Sequence, residues 1–184
     1  MDFDILYALN NIHTDLLDKV MIGITYLGEK GIFWIGIAII LLFFKKTRKC
    51  GIFMLISMAI GVIIGNGIIK NLVARPRPCW IDESINLLIS NPKDFSFPSG
   101  HTLASFEAAI TILLHNKKWG IAAILLAICV GISRLYLFVH FPTDVLAGAI
   151  LGTIIAIAVY FVSKKVIASK QMKNEKENNS EVEE

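Results

Sequence analysis

The sequence predicts an all-α integral membrane bundle of about six transmembrane helices, with its polar chemistry gathered at the extracytoplasmic interface. Three observations lead there. Of 184 residues, 55% are hydrophobic and the mean hydropathy is +0.64, an apolar share above that of an ordinary soluble domain. Residues 51–69 and 145–162 run without a charge, each close to the roughly 20 residues that cross a bilayer's hydrocarbon. The polar exceptions collect in three strings: KNLVARPRP (70–78), PSGH (98–101) and SRLYLFVHFPTD (133–144). The length suits one domain, read over residues 1–168.

The elements follow in order. Residues 3–12 read as an amphipathic helix lying along the interface. Residues 16–27 are apolar but short for a full crossing, and residues 31–44 make the next span. After the basic turn Lys45-Lys46-Thr47-Arg48-Lys49 comes the long run ending near Ile69. Pro76 and Pro78 stop that helix, because proline lacks the donor and the room a helix interior requires. Residues 99–114, 119–138 and 142–162 complete the set. Residues 169–184 are polar and charged and read as a disordered cytoplasmic tail.

Charge sets the orientation. With both chain ends inside, Lys45, Lys46, Arg48, Lys49, Lys117, Lys118, Lys19 and the tail lysines fall on the cytoplasmic side, as the positive-inside rule asks. Lys30, Lys70, Arg75, Arg77, Lys93 and Arg134 remain outside, and all three polar strings meet on that face. Trp80, Phe95, Phe97, Tyr136, Phe138 and Phe141 share the level and read as an interfacial aromatic belt. The N-terminus Met-Asp-Phe-Asp lacks the basic start of a cleavable signal peptide. Cys50, Cys79 and Cys129 lack metal-type or disulfide-framework spacing, so neither metal nor cofactor is expected.

Charge beside a membrane segment is costly and marks function by default. PSGH has the grammar of a helix start, with Ser99 as N-cap and Gly100 allowing close approach of an anion to unpaired backbone N–H groups. On its own the tetrapeptide reads equally as an ordinary capped helix. Arg77 and Arg134 offer planar forks for phosphate oxygens, and Lys70 adds a point charge. Arg75 and Lys93 read instead as head-group anchors. His140 precedes Pro142, a favoured first helical residue, and Asp144 falls in that helix's first turn. A carboxylate so placed can take the Nδ1 proton and direct Nε2 as a nucleophile. Glu107 lies within an apolar helix with no partner to name. His13 and His115 fall toward the inner side, while Asp82, Glu83 and Asp94 face water in the outer loop.

Together the strings resemble the three signature motifs of the type 2 phosphatidic acid phosphatase superfamily, with no departure at a signature position. The resemblance implies a metal-independent lipid phosphohydrolase at a cell membrane. It implies His140 as nucleophile forming a phosphohistidine, Asp144 as its orienter, and His101 as acid and then base. Lys70, Arg77, Ser99, Gly100 and Arg134 would hold the phosphate. Among substrates it ranks undecaprenyl diphosphate first, then phosphatidylglycerophosphate or phosphatidic acid. The competing readings are a vanadate-dependent haloperoxidase-like enzyme and a non-enzymatic lipid-binding or transport protein. No nucleic-acid partner is expected.

Overall fold

The structure is a computed structural model describing residues 2–182, with side-chain surroundings through residue 172. Regular structure among these residues is helical: α1 (Asp2–Asn10), α2 (Asp15–Leu27), α3 (Ile32–Phe43), α4 (Arg48–Gly61), α5 (Lys70–Val73), α6 (Pro78–Ile81), α7 (Gly100–His115), α8 (Lys117–Tyr136) and α9 (Pro142–Val182). A 3₁₀ turn, Glu29–Gly31, links α2 to α3, and a π-helical segment, Val62–Ile69, carries α4 into α5. Three helical stretches are long and apolar enough to cross a membrane: Arg48–Ile81, Lys117–Tyr136 and Pro142–Met172. A fourth counts if Asp15–Leu27 and Glu29–Phe43, bent by 41°, make one crossing.

Helix α7 occupies the centre, against α4, α8 and α9. Its small buried residues, Ser105, Ala108, Ala109 and Thr111, let neighbours approach closely, as membrane helix packing requires. The approach of α9 is close in consequence. A Cβ on Gly148 would lie 2.7 Å from the Ser99 carbonyl oxygen, and one on Gly152 would lie 2.6 Å from that of Leu103. These contacts fix Asp144, at the start of α9, against the start of α7. On the other flank, Trp34 of α3 donates to Ser105 Oγ at 3.0 Å.

The first apolar segment departs from a separate crossing. Near its start Asp18 accepts from the Tyr136 hydroxyl at 2.5 Å, and near its end Thr25 accepts from Arg134 at 2.5 Å. Both ends of α2 thus reach the same end of α8. The segment is short and carries Asp18 and Lys19, so it lies beside the bundle's polar end and bends at Gly28–Gly31 into α3. Here Lys30 and Gly31 both take positive φ. His13 is likewise at this end, its ring 4.1 Å from that of Tyr136, and not at the inner side. Lys19 and the start of α1 lie at this end too, Asp18 bonding Tyr136 and Asp2 bonding Arg75, which corrects the expectation that they share a side with the basic turn at residues 45–49.

Helix α1 is more than an interfacial helix. Leu6 is fully buried with Tyr136, Leu137, Phe138, Val139 and Phe141. Three of the six aromatics expected in an interfacial belt (Tyr136, Phe138 and Phe141) are therefore core. They pack against α1, which removes them from lipid. Helix α9 continues to Val182, so the backbone of the expected disordered tail is helical that far. Lys, Glu, Gln and Met are good helix formers, and extending an existing helix avoids the cost of nucleation. Glu183 and Glu184 lie outside the described residues.

Candidate active site

The proline-rich string ends a helix and turns it. Helix α5 stops at Val73, Ala74 takes a left-handed conformation (φ 46°), and Arg77 is extended before α6 begins on Pro78. This brings Lys70 and Arg77 together on a carboxylate that the sequence left in water. Asp94 accepts from Lys70 Nζ at 2.5 Å and from Arg77 Nη2 at 2.8 Å. Burial alone would raise the Asp94 carboxyl, but Lys70 and Arg77 outweigh it and hold it at about 2. Arg77 also donates through Nε to the Asp94 carbonyl and through Nη1 to that of Val139.

His140 sits in the tight connection between α8 and α9, where Phe138 takes φ 59°. Its neighbours Phe138, Val139 and Phe141 are all buried, which holds this conformation in place. Arg77 Nη1 lies 3.1 Å from His140 Nε2. A guanidinium can only donate, so Nε2 carries the lone pair and Nδ1 the proton. That proton faces Ser96 Oγ at 3.3 Å and Asp144 Oδ2 at 3.5 Å. Ser96 in turn donates to Asp144, so it stands between the pair as a bridge. Burial, opposed by Asp144 and reinforced by Arg77 and Arg134, holds the imidazole well below the ordinary histidine range.

Asp144 is fully buried and well satisfied. It accepts from the Phe141 amide at 2.8 Å and from Arg75 Nη1 at 2.8 Å. Arg75 also reaches Thr143 at 2.6 Å and Asp2 at 3.1 Å, and it stacks on Phe141 at 4.1 Å. The head-group-anchor reading of Arg75 is thereby corrected: its fork is spent inside the protein, on the carboxylate behind His140.

At the start of α7, Ser99 has the extended backbone of an N-cap, but its side chain makes no capping bond. Its hydroxyl accepts from Thr102 at 3.0 Å and its amide donates to the Asp144 carbonyl at 3.0 Å. His101 Nε2 lies 3.4 Å from Glu29 of the 3₁₀ turn. Arg134 is buried, and its Nε has no partner among the described residues. A buried donor left unmatched is costly, and an anion in front of it would satisfy it.

Lys70, Arg77, Gly100, His101, Arg134 and His140 line one cavity of about 870 Å³. Ser99 and Asp144 lie behind its wall. Residues of α3 and α4 with the π segment, including Ile35, Leu55, Met58 and Ile63, make the cavity's other wall apolar. Arg75, Ser96, Asp94 and Glu29 are the site residues that sequence reasoning missed. Arg75 and Ser96 adjoin the polar strings, but only the fold shows that both converge on Asp144. Asn66 is a further case, its Oδ1 lying where a Cβ on Gly100 would come within 2.9 Å.

A helical bundle with a cationic, histidine-bearing cavity at one end and an apolar wall beside it defines a membrane enzyme acting on a lipid phosphate. The comparisons agree. The sequence model of the PAP2 superfamily matches residues 50–168. An undecaprenyl-diphosphatase of Sulfolobus acidocaldarius is 39% identical over 138 residues, covering 74% of this chain and 66% of that protein. The crystal structure of a transmembrane PAP2-type phosphatidylglycerolphosphate phosphatase from Bacillus subtilis superposes with a TM-score of 0.75 at 32% identity, covering 90% of this chain and 85% of that one. Aquifex aeolicus LpxE does so with a TM-score of 0.77 at 28% identity, covering 86% and 94%. The chain belongs to the PAP2 superfamily, among its membrane lipid phosphatases.

Proposed function

We propose that this protein removes a terminal phosphate from a lipid phosphomonoester or diphosphate, through a phosphohistidine on His140. Undecaprenyl diphosphate ranks first among substrates, in line with the named relative, followed by phosphatidylglycerophosphate and phosphatidic acid. The observation that carries the reading is the His140 Nε2 lone pair, aimed at Arg77 inside a cavity that also holds Lys70, Arg134 and His101.

The chemistry runs in two displacements. The substrate phosphate replaces Asp94 on Lys70 and Arg77, taking the guanidinium away from Nε2 and freeing the lone pair. Nε2 then attacks phosphorus as the ester or anhydride P–O bond breaks. His101, whose Nε2 lies 3.4 Å from Glu29, gives its proton to the leaving oxygen. Water next attacks the phosphohistidine, His101 takes the water's proton, and inorganic phosphate leaves with His140 restored. Lys70, Arg77, the Gly100 amide and Arg134 Nε would supply the fixed donors that stabilise the anionic transition state. Asp144, clamped by Arg75 and Ser96, keeps the Nδ1–H tautomer throughout. Cations build this phosphate seat in the role that carboxylate-held metals play elsewhere.

The lysine and arginine distribution supports a cavity on the extracytoplasmic face and the end of α9 in the cytoplasm. A polyprenyl or acyl tail would stay against the apolar wall while its phosphate enters the cationic end. Phosphate release from the three lipids in detergent tests the reading, with and without EDTA. The expected result is turnover that persists in EDTA, fastest on undecaprenyl diphosphate. A strict magnesium requirement, or anionic lipid bound but never hydrolysed, contradicts it.

A further inference from the structure

At the far end of α7, roughly 22 Å from Gly100 by helical rise, a second cavity of about 410 Å³ opens between α4, α7 and α9. Its volume falls within the roughly 300–1,000 Å³ range of small-molecule sites. Lys49 and Lys164 supply its charge, and among the described residues no acidic side chain lines it. This reverses the situation in the active site, where Asp94 and Asp144 occupy Lys70, Arg77 and Arg75.

The cavity wall is ordered. His115 is held edge-on between Phe53 (5.4 Å between centroids) and Tyr160 (5.3 Å), which also contact each other at 6.2 Å. The Thr111 carbonyl can only accept, so His115 Nδ1 donates to it at 2.8 Å and Nε2 is left over. Lys164 Nζ lies 3.3 Å from the Tyr160 hydroxyl and 5.1 Å from its ring centroid, which draws the ammonium to this wall. Leu114, Ile167 and Ala168 add apolar surface. Two cations, a fixed imidazole acceptor and apolar walls at the end of a membrane bundle suit one class of ligand.

We propose that this cavity binds the phosphodiester head group of an anionic phospholipid. Lys49 and Lys164 would grip the phosphate, His115 Nε2 would accept from a head-group hydroxyl, and the acyl chains would run along the apolar surface. Basic pockets between membrane helices are recognised sites for such head groups. The site is separate from the hydrolytic cavity, and the proposal goes beyond the enzymatic reading.

Thermal unfolding of the purified full chain in detergent tests it, with phosphatidylglycerol, phosphatidylcholine or inorganic phosphate added. Phosphatidylglycerol is the probe because it carries a diester and a hydroxyl but no terminal phosphate for the enzyme to remove. Wild type should unfold several degrees higher with phosphatidylglycerol than with phosphatidylcholine. Lys49→Gln/Lys164→Gln should lose most of that difference, while Lys45→Gln/Lys46→Gln, outside the cavity, should keep it. His115→Phe, which preserves the aromatic packing, should lose part of it. Phosphate release within about twofold of wild type verifies that each variant is folded. Full lipid selectivity in both cavity variants, or an equal loss in the Lys45/Lys46 control, overturns the proposal. Equal protection by inorganic phosphate, lost with Lys49 and Lys164, would assign the cavity to soluble phosphate and overturn the lipid assignment.

Discussion

Asp144 has no exposed surface, and Arg75, Ser96 and the Phe141 amide hold it. Removing one partner of a buried charge costs more than the pair is worth, because the remaining charge is left uncompensated. Arg75 is partly exposed, so Arg75→Ala should cost about 1–3 kcal/mol, or about 10–100-fold in kcat. KM should change little, since Arg75 touches the orienting carboxylate and not the phosphate cavity; steady-state kinetics on the preferred lipid checks this. Asp94, bonded to Lys70 and Arg77, is in the proposed mechanism an anion occupying the seat of another anion. Asp94→Asn should therefore strengthen competitive inhibition by inorganic phosphate, by about tenfold for one charge-assisted contact. An unchanged inhibition constant would show that Asp94 does not compete. The depressed imidazole of His140 sets a third expectation. Folded His140 binds fewer protons than the unfolded chain, so its contribution to stability rises with pH and turns unfavourable below about pH 6.5. Titration of the ring by NMR should therefore show it neutral through pH 6.5, with protonation only well below.

At the scale of elements, the α7–α9 contact holds the two halves of the site in register. Gly148 and Gly152 let the backbones meet there, and the atoms in the way are carbonyl oxygens that cannot rotate aside. Gly148→Ala should lower stability by about 1–3 kcal/mol and reduce activity with it, because Ser99 and Asp144 move apart. Thermal unfolding and phosphate release on the same sample measure both. Elements set by periodicity and punctuation were legible in the sequence: residues 99–114 became Gly100–His115, and Pro142 opens α9 as the first helical residue. The course of α2 was not legible. Its apolarity reads the same whether it crosses lipid or packs along Tyr136 and Leu137. Tertiary contacts alone separate those cases, and for the same reason Phe138 and Phe141 looked like a belt. Asp94 and Arg75 were misread because spacing along the chain does not reveal a partner across the fold, here Lys70 for one and Asp144 for the other.

Over the whole molecule, one end is chemical and the other basic. The cationic cavity, α1, α2 and the loop bearing Asp94 gather at the first, while Lys45, Lys46, Lys49, Lys117 and Lys164 mark the second. The topology proposed above rests on this polarity, read by the positive-inside rule. A single cysteine introduced at Lys93 should react in intact cells with a membrane-impermeant maleimide, and one at Lys46 should not. The reverse pattern would place the active site in the cytoplasm. The central claim, that His140 carries the phosphoryl group, is tested most directly by rapid acid-free quenching during turnover of a lipid labelled in its terminal phosphate. Wild type should carry an acid-labile, base-stable label that maps to residue 140, and His140→Ala should carry none while retaining its fold. Label on another residue, or turnover surviving in His140→Ala, would contradict the account.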